Sequence, residues 1–232
     1  MSRNKFRQAI NKLGLDLHRH HPVADRLAWL EGLNIRTVFD IGANIGQFAS
    51  EIRGALPAAQ IYSFEPLAGC YARLTGAFRE DQKFRAFNYA LGEKAEKIAM
   101  NRSAYTPSSS LLPMANSHKE LFPHTKDSSP ETIEVRRLDD VWTELKPAGE
   151  VLIKADTQGY EAKVIAGGLE AFRQAKAVLI EASFVELYKG QPLFDDIYQK
   201  LKTLGFVYKG ALHQKINNKT GEVIFEDAIF IR

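Results

Sequence analysis

Asp40-Ile41-Gly42-Ala43-Asn44-Ile45-Gly46-Gln47 is the stretch on which the fold of this chain is read. Before it, Thr37-Val38-Phe39-Asp40-Ile41 is an apolar, β-prone run; after it, Gln47 to Leu56 has helical spacing. The glycines therefore punctuate a strand-to-helix junction, and in open α/β sheets ligands bind beyond the carboxyl ends of the strands. Gly42 and Gly46 are expected to let the backbone turn tightly and come close to a ligand.

Outward from this junction, strands and helices alternate. Ile61-Tyr62-Ser63-Phe64 reads as a second strand, Ala68 to Phe78 as a helix, and Arg85 to Tyr89 as a third strand. Val151 to Lys154, a helix from about Tyr160 to Ala166, Ala177 to Glu181 and a helix from Phe194 to Leu204 continue the series. Gly205 to Tyr208 and Asp227 to Ile231 close it without an intervening helix. The expectation is an α/β fold with a seven-stranded, mostly parallel sheet, helices on both faces and a C-terminal antiparallel hairpin. Between about residues 95 and 137 the alternation breaks. Two short β-like pieces, Lys97 to Asn101 and Thr132 to Arg136, flank a polar stretch that reads as a long insertion loop, and such loops tend to bind ligands. Ahead of the domain at 35–232, residues 1–34 read as a helical extension, with Phe6, Ile10, Leu13 and Leu17 at amphipathic spacing and a second helix near Ala24 to Leu30.

The 232 residues suit one hydrophobic core with a short extension, and 45% hydrophobic with 25% charged residues is ordinary for a folded protein. The net charge of +3 comes from scattered lysines and arginines, which argues against nucleic acid as a partner. Cys70 is the lone cysteine, so neither an intramolecular disulfide nor a cysteine zinc site fits, whereas a reducing cytoplasm does. With no signal-peptide pattern and no run near the roughly 18 apolar residues of a membrane span, the expectation is a soluble, cytoplasmic protein. Nothing here predicts an oligomeric state.

Several residues carry chemistry. The loop after the first strand departs from the dinucleotide fingerprint, because Asn44 and Gln47 stand where the second and third glycines belong. That disfavours a pyrophosphate cofactor and leaves room for S-adenosylmethionine, whose cationic end Asp40 suits; a glycine turn without a ligand is the plain alternative. Glu65 closes the second strand, where Rossmann-like folds use a carboxylate to accept ribose hydroxyls, although an exposed glutamate before Pro66 would look the same. Lys154-Ala155-Asp156-Thr157-Gln158-Gly159-Tyr160-Glu161 brings two carboxylates and an amide to the end of the fourth strand, and Glu181 adds a third acid from the fifth. Asp156 is also of a type that caps helices. Crowded carboxylates are costly without a nearby cation, which a sulfonium or a metal would supply.

These motifs, in order, resemble the FkbM-type methyltransferases. The resemblance runs from about Thr37 to the C-terminus through Asp-Ile-Gly-Ala-Asn-Ile-Gly (40–46), Phe-Glu-Pro (64–66), Ala-Leu-Gly (90–92), Ser-Ser-Ser-Leu (108–111), Arg-Leu-Asp-Asp-Val (137–141), Lys-Ala-Asp-Thr-Gln-Gly-Tyr-Glu (154–161) and Ile-Glu-Ala-Ser-Phe (180–184). It implies a class I methyltransferase, Rossmann-like fold, S-adenosylmethionine as donor, and O-methylation of a sugar, polyketide or other small metabolite. Residues expected at the cofactor are Asp40, Gly42, Ala43, Asn44, Gly46, Glu65, Pro66, Ala90, Ser109, Asp156 and Gln158.

An alcohol is a poor nucleophile until a base takes its proton. Asp156 is the expected base, with Glu161 and Glu181 as helpers or substitutes, while orientation of two bound reactants also accelerates transfer. Mg²⁺ held by Asp156 and Glu181 suits oxygen ligands but lacks a third clear ligand and is not favoured. His18, His20 and His21 read as a solvated segment rather than a metal cluster, and His118 and His124, in the long loop, read as an alternative base or an acceptor contact, with plain exposure as the ordinary alternative. Competing readings are an NAD-dependent oxidoreductase and a non-catalytic S-adenosylmethionine-binding protein. Nucleobase amine methylation is disfavoured, because Asp156-Thr157-Gln158-Gly159 lacks the two prolines of those enzymes.

Overall fold

The computed structural model describes residues 26–125 and 127–232. The helix expected over residues 5–17 and the three N-terminal histidines lie outside them. A short 3-10 turn at Ala28–Leu33 leads into β1 (Ile35–Ile41), followed by α1 (Gln47–Ala55), β2 (Gln60–Phe64), α2 (Ala68–Ala77) and β3 (Phe84–Phe87). After the β4 (Ala90–Gly92), β5 (Glu96–Ser103) and β6 (Ser128–Arg137) strands, with α3 (Asn116–Leu121) between the last two, come α4 (Leu138–Leu145) and β7 (Glu150–Ala155). The chain ends with α5 (Glu161–Gly167), α6 (Leu169–Gln174), β8 (Ala177–Ser183), α7 (Phe194–Thr203), β9 (Val207–Ile216) and β10 (Val223–Ile231).

The main sheet has seven strands in the order β3-β2-β1-β7-β8-β10-β9; all are parallel except β10, which runs antiparallel to β8 and β9. This is the class I methyltransferase order, and the hairpin is where the sequence places it. The strands divide their side chains between two faces. Phe39, Phe64, Ile153 and Ile180 pack under α4, α6 and α7, while Val38, Ile61, Leu152 and Leu179 pack against α1 and the 28–33 turn. The order reverses between β1 and β7, so the switch-point crevice opens at their tips.

The stretch between 95 and 137 differs from expectation. The two β-like pieces are the middles of an eight- and a ten-residue strand, β5 and β6, which pair antiparallel; β4 joins them in a second, three-stranded sheet. One face buries Met100, Ile133 and Val135 against Leu67 and Cys70, and the other is wet, which gives the polar composition of a loop to a half-buried hairpin. Only 104–127 connects the two strands. Helices α3, α4 and α6 and strand β4 also lie beyond the sequence reading, and β9 and β10 extend well past the apolar runs that announced them. Among the described residues no helix is long and apolar enough to cross a membrane.

Gly42 sits at φ 80°, and a Cβ there would stand 1.9 Å from the carbonyl oxygen of Asp156. The Gly42→Ala variant must therefore part the tips of β1 and β7 as well as hold an unfavourable left-handed backbone. We expect a loss of about 3 kcal/mol or more in urea-midpoint stability; a loss below about 1 kcal/mol would show that the two tips are not in close contact.

Candidate active site

At the tips of β1, β2, β7 and β8 lies a cavity of about 440 Å³, within the range of small-molecule sites. Its floor starts at β1. The N–H groups of Gly42 and Ala43 both donate to the carbonyl of Phe64, which ties the loop to β2. Asn44, at φ 48°, donates its N–H to Glu65 Oε2 at 2.9 Å, and Leu67 N–H donates to Oε1 at 2.8 Å. Glu65 is buried yet lines the cavity, and burial pushes its carboxyl up to about 7 against the two N–H donors that pull it down. Each oxygen keeps a free lone pair, which is the acceptor pair a vicinal diol such as a ribose would engage.

Behind this loop stands a buried ion pair. Asp40 and Lys154 are direct partners in the β1–β7 register; Lys154 Nζ lies 3.4 Å from Asp40 Oδ1 and 3.7 Å from Asp156 Oδ2, and donates to the carbonyl of Gly42 at 3.1 Å. Ser63 Oγ donates to the other oxygen of Asp40 at 3.1 Å. Burial disfavours the lysine charge, but the facing carboxylates outweigh it and hold its pKa up at about 12. Burial raises Asp40, with Lys154 and Ser63 opposing.

At the other end acids crowd together. Asp156 leaves the tip of β7 with its N–H donating to the carbonyl of Ile41. Glu181 on β8 and Asp227 on β10 are cross-strand partners, so their side chains share the sheet face on which Asp156 lies. Burial, then Asp156, Glu161 and Asp227, raise Glu181 well above the ordinary carboxylate range; burial and Asp156 push Asp227 up to about 6. Gln158 Nε2 donates to Asp156 Oδ1 at 2.8 Å and faces the two oxygens of Glu181 at 3.1 and 3.2 Å. Glu51, Leu212, His213 and Arg26 complete this wall, with His213 Nδ1 3.9 Å from Asp227 Oδ2.

Of the residues singled out in the sequence, Gly42, Ala43, Asn44, Glu65, Pro66, Ala90, Ser109, Asp156, Gln158 and Glu181 border this one cavity. Three expected there stand elsewhere. Asp40 has no exposed surface and faces Lys154. Gly46, at φ 95°, turns toward α2, where a Cβ would come within 2.7 Å of the Phe78 ring, so its freedom serves helix packing rather than a ligand. Glu161 is buried under the β7–α5 turn, where its Oε1 accepts from Thr157 N–H and Oγ1 at 2.7 and 2.9 Å and burial pushes it up to about 7. Gly42 borders the cavity, but its missing side chain makes room for Asp156. His118 is also away from the cavity, buried with Nε2 2.9 Å from Thr125 Oγ1, and His124 packs edge-on to Tyr105. Sequence reasoning missed Lys154, Asp227 and His213. The signal was present in strand parity: Asp227 sits in step with Ile229 and Ile231, which pack against the core under α1, as Lys154 does with the buried Leu152. Among the described residues no group of three or more His, Cys, Asp or Glu side chains has a metal-holding arrangement.

Fold and cavity together define a methyltransferase of the class I type, with a ribose-suited carboxylate just beyond β2 and an acid wall across the switch point. The chain belongs to the FkbM methyltransferase domain family, whose model matches residues 40–208, and is an S-adenosylmethionine-dependent methyltransferase. Similar proteins include the 2-O-methyltransferase NoeI of Sinorhizobium fredii (strain NBRC 101917 / NGR234), 29% identical over 194 residues that cover 81% of this chain and 78% of NoeI. The methyltransferase sdnD of Sordaria araneosa is 29% identical over 160 residues, 56% of this chain and 59% of sdnD. The N-terminal domain of EvdMO1, solved in the presence of SAH and D-fucose, has the same fold at a TM-score of 0.51 and 10% identity, covering 100% of this chain and 97% of that domain.

Removing the lysine of the buried pair leaves Asp40 uncompensated. Lys154→Met is expected to cost about 3–5 kcal/mol of unfolding free energy, and adding Asp40→Asn should recover most of it. A double variant no more stable than Lys154→Met would refute this coupling.

Proposed function

We propose that the protein is an O-methyltransferase whose acceptor is a hydroxyl of a small molecule or carbohydrate, with Asp156 and Glu181 as the proton-accepting pair. The observation that carries this is the partition of one cavity into a Glu65 end, suited to a nucleoside, and an Asp156–Glu181–Asp227 end, suited to hydroxyl donors. S-adenosylmethionine, when bound, supplies an electrophilic methyl on a sulfonium. Glu65 accepts the ribose hydroxyls; the loop Gly42, Ala43 and Asn44, together with Pro66, Ala90 and Ser109, encloses the nucleoside; Asp156 and Gln158 face the reacting end. Asp156 is exposed on its cavity side and accepts the hydroxyl proton, and Glu181, raised by burial beside it, shares that proton. Glu161 acts indirectly, by holding the Thr157 turn.

The name of the 2-O-methyltransferase NoeI supports a hydroxyl as acceptor, and the D-fucose present with the EvdMO1 domain supports a carbohydrate. Arg26, which precedes the domain over 35–232, lines the acceptor wall. Nucleic acid is not the partner, since the wall that meets the acceptor is acidic. A cytoplasmic site of action suits an enzyme that draws on this donor and keeps Cys70 as a free, buried thiol.

Thermal-shift titration should show stabilisation by S-adenosylhomocysteine and none by NAD; the reverse would sink the reading. Glu65→Ala should weaken S-adenosylhomocysteine binding roughly 10–100-fold, the worth of hydrogen bonds to a charged acceptor. The ionised carboxylate is the better acceptor and titrates near 7 in the free protein, so wild-type affinity should rise as pH increases from 6 to 8. Calorimetry on Glu65→Gln should show that pH dependence gone.

Asp156→Asn keeps shape and hydrogen bonding but abolishes the base. With a responding acceptor sugar, kcat should fall by about 10²-fold or more while S-adenosylhomocysteine affinity changes far less. An unchanged kcat would move the base elsewhere.

A further inference from the structure

Gln158 bridges the two carboxylates of the proposed base pair, yet nothing in its own backbone fixes which end of its amide faces them. Its main chain is in the left-handed region at φ 54°, followed by Gly159 at φ 94°, and its carbonyl oxygen accepts from Ser110 Oγ at 2.6 Å. The side-chain carbonyl Oε1 points away from the cavity to the hydroxyl of Tyr188 at 2.8 Å. Tyr188 belongs to the segment between β8 and α7 and does not border the cavity. It is 1% exposed, packed with Met114, Leu187 and Ile224, its ring 4.9 Å from that of His118. The other atom in reach of its hydroxyl, the carbonyl of Ser108 at 3.2 Å, is also an acceptor, so the single phenolic hydrogen goes to the nearer Gln158 Oε1. The NH₂ end is thereby presented to Asp156 and Glu181, which as carboxylates can only accept. With the amide reversed, three oxygens would face one another.

We propose that Tyr188 is a positioning residue of the methyl-transfer site: from outside the cavity, its hydroxyl holds the Gln158 amide with its donor end between Asp156 and Glu181, so that the two carboxylates stay joined through one NH₂ group. This rests on the reading of those two acids as the base pair. The shared donor favours the ionised form of Glu181, so without it Glu181 should bind its proton more tightly. The other charged groups around the pair are Glu161 beneath it, Asp227 opposite Glu181, Lys154 with Asp40 behind, and Glu51 and His213 across the cavity; His118 lies against the Tyr188 ring. None of them bonds to the Gln158 amide.

The test needs no acceptor. Carboxyl resonances of the full chain labelled with ¹³C at Asp and Glu side chains are titrated in the wild type, in Tyr188→Phe, which keeps the ring and its packing, and in Gln158→Met, which removes the donor. Asp156→Asn and Glu181→Gln supply the assignments. The expected result is that the Glu181 titration moves upward by roughly half a unit or more in both variants. If Gln158→Met moves it and Tyr188→Phe does not, the amide keeps its place without the tyrosine and the proposal fails; it fails equally if neither variant moves it. The base-pair reading is judged apart, since full methyl transfer by Asp156→Asn would end it whatever the resonances show.

Discussion

The charge of Lys154, buried at the junction of β1 and β7, is the constraint from which the site is built. A lone ammonium in that position would be prohibitively desolvated, and so would the carboxylate of Asp40. Paired across the strands they tolerate each other, and the ammonium has a further donor to spend on the carbonyl of Gly42. That bond fixes the first peptide beyond β1, and the next N–H groups then reach β2: Gly42 and Ala43 to Phe64, Asn44 to Glu65. One cation thus aligns three strand tips. The Glu65 carboxylate that lines the cavity is held by a chain of contacts that begins with a residue in the opposite wall.

The same geometry explains why the glycines mean something other than their motif suggests. Gly42 leaves space for the Asp156 carbonyl, and Gly46 for Phe78 and Leu74. Both are needed so that the loop lies flat between β7 and α2, and its N–H groups can then be aimed. Closeness of backbone to ligand follows from closeness of backbone to backbone.

How much could be read beforehand follows from burial. Strands covered on both faces, such as Val151 to Lys154 or Ala177 to Glu181, are continuous apolar runs and stand out in the sequence. Strands β5 and β6 have one wet face, and only Ile98, Met100, Ile133 and Val135 mark the other, so their composition imitates a loop. Strand tips were likewise legible as places, because an acid at the end of an apolar run is conspicuous. The direction of each side chain was harder. Asp40 and Glu65 both belong to strand ends, yet one turns to a buried lysine and the other to the cavity; the difference lies in register, Asp40 against Lys154, which needs the pairing of strands far apart in sequence. Glu161 and Asp156 are five positions apart, but the intervening turn sends one under the loop and the other over it.

Two rows of charge run across the face of the sheet that α1 covers. The inner row, Asp40 and Lys154, is neutral as a pair; the outer row, Asp156, Glu181 and Asp227, is not. Within that row Glu181 and Asp227, whose proton affinity burial and acidic neighbours raise, are costly to an empty protein, since the unfolded chain gives up protons more readily than the folded chain does. That cost has a use in methyl transfer from a cationic donor to a neutral alcohol. Such a reaction removes one positive charge from the cavity and liberates one proton from the hydroxyl, and in the proposed mechanism the carboxylate pair takes up that proton beside the place where the charge disappears. The local charge then changes little between reactants and products, so dipoles and ion pairs around the site have no need to reorganise, which is the condition under which fixed protein electrostatics are most effective.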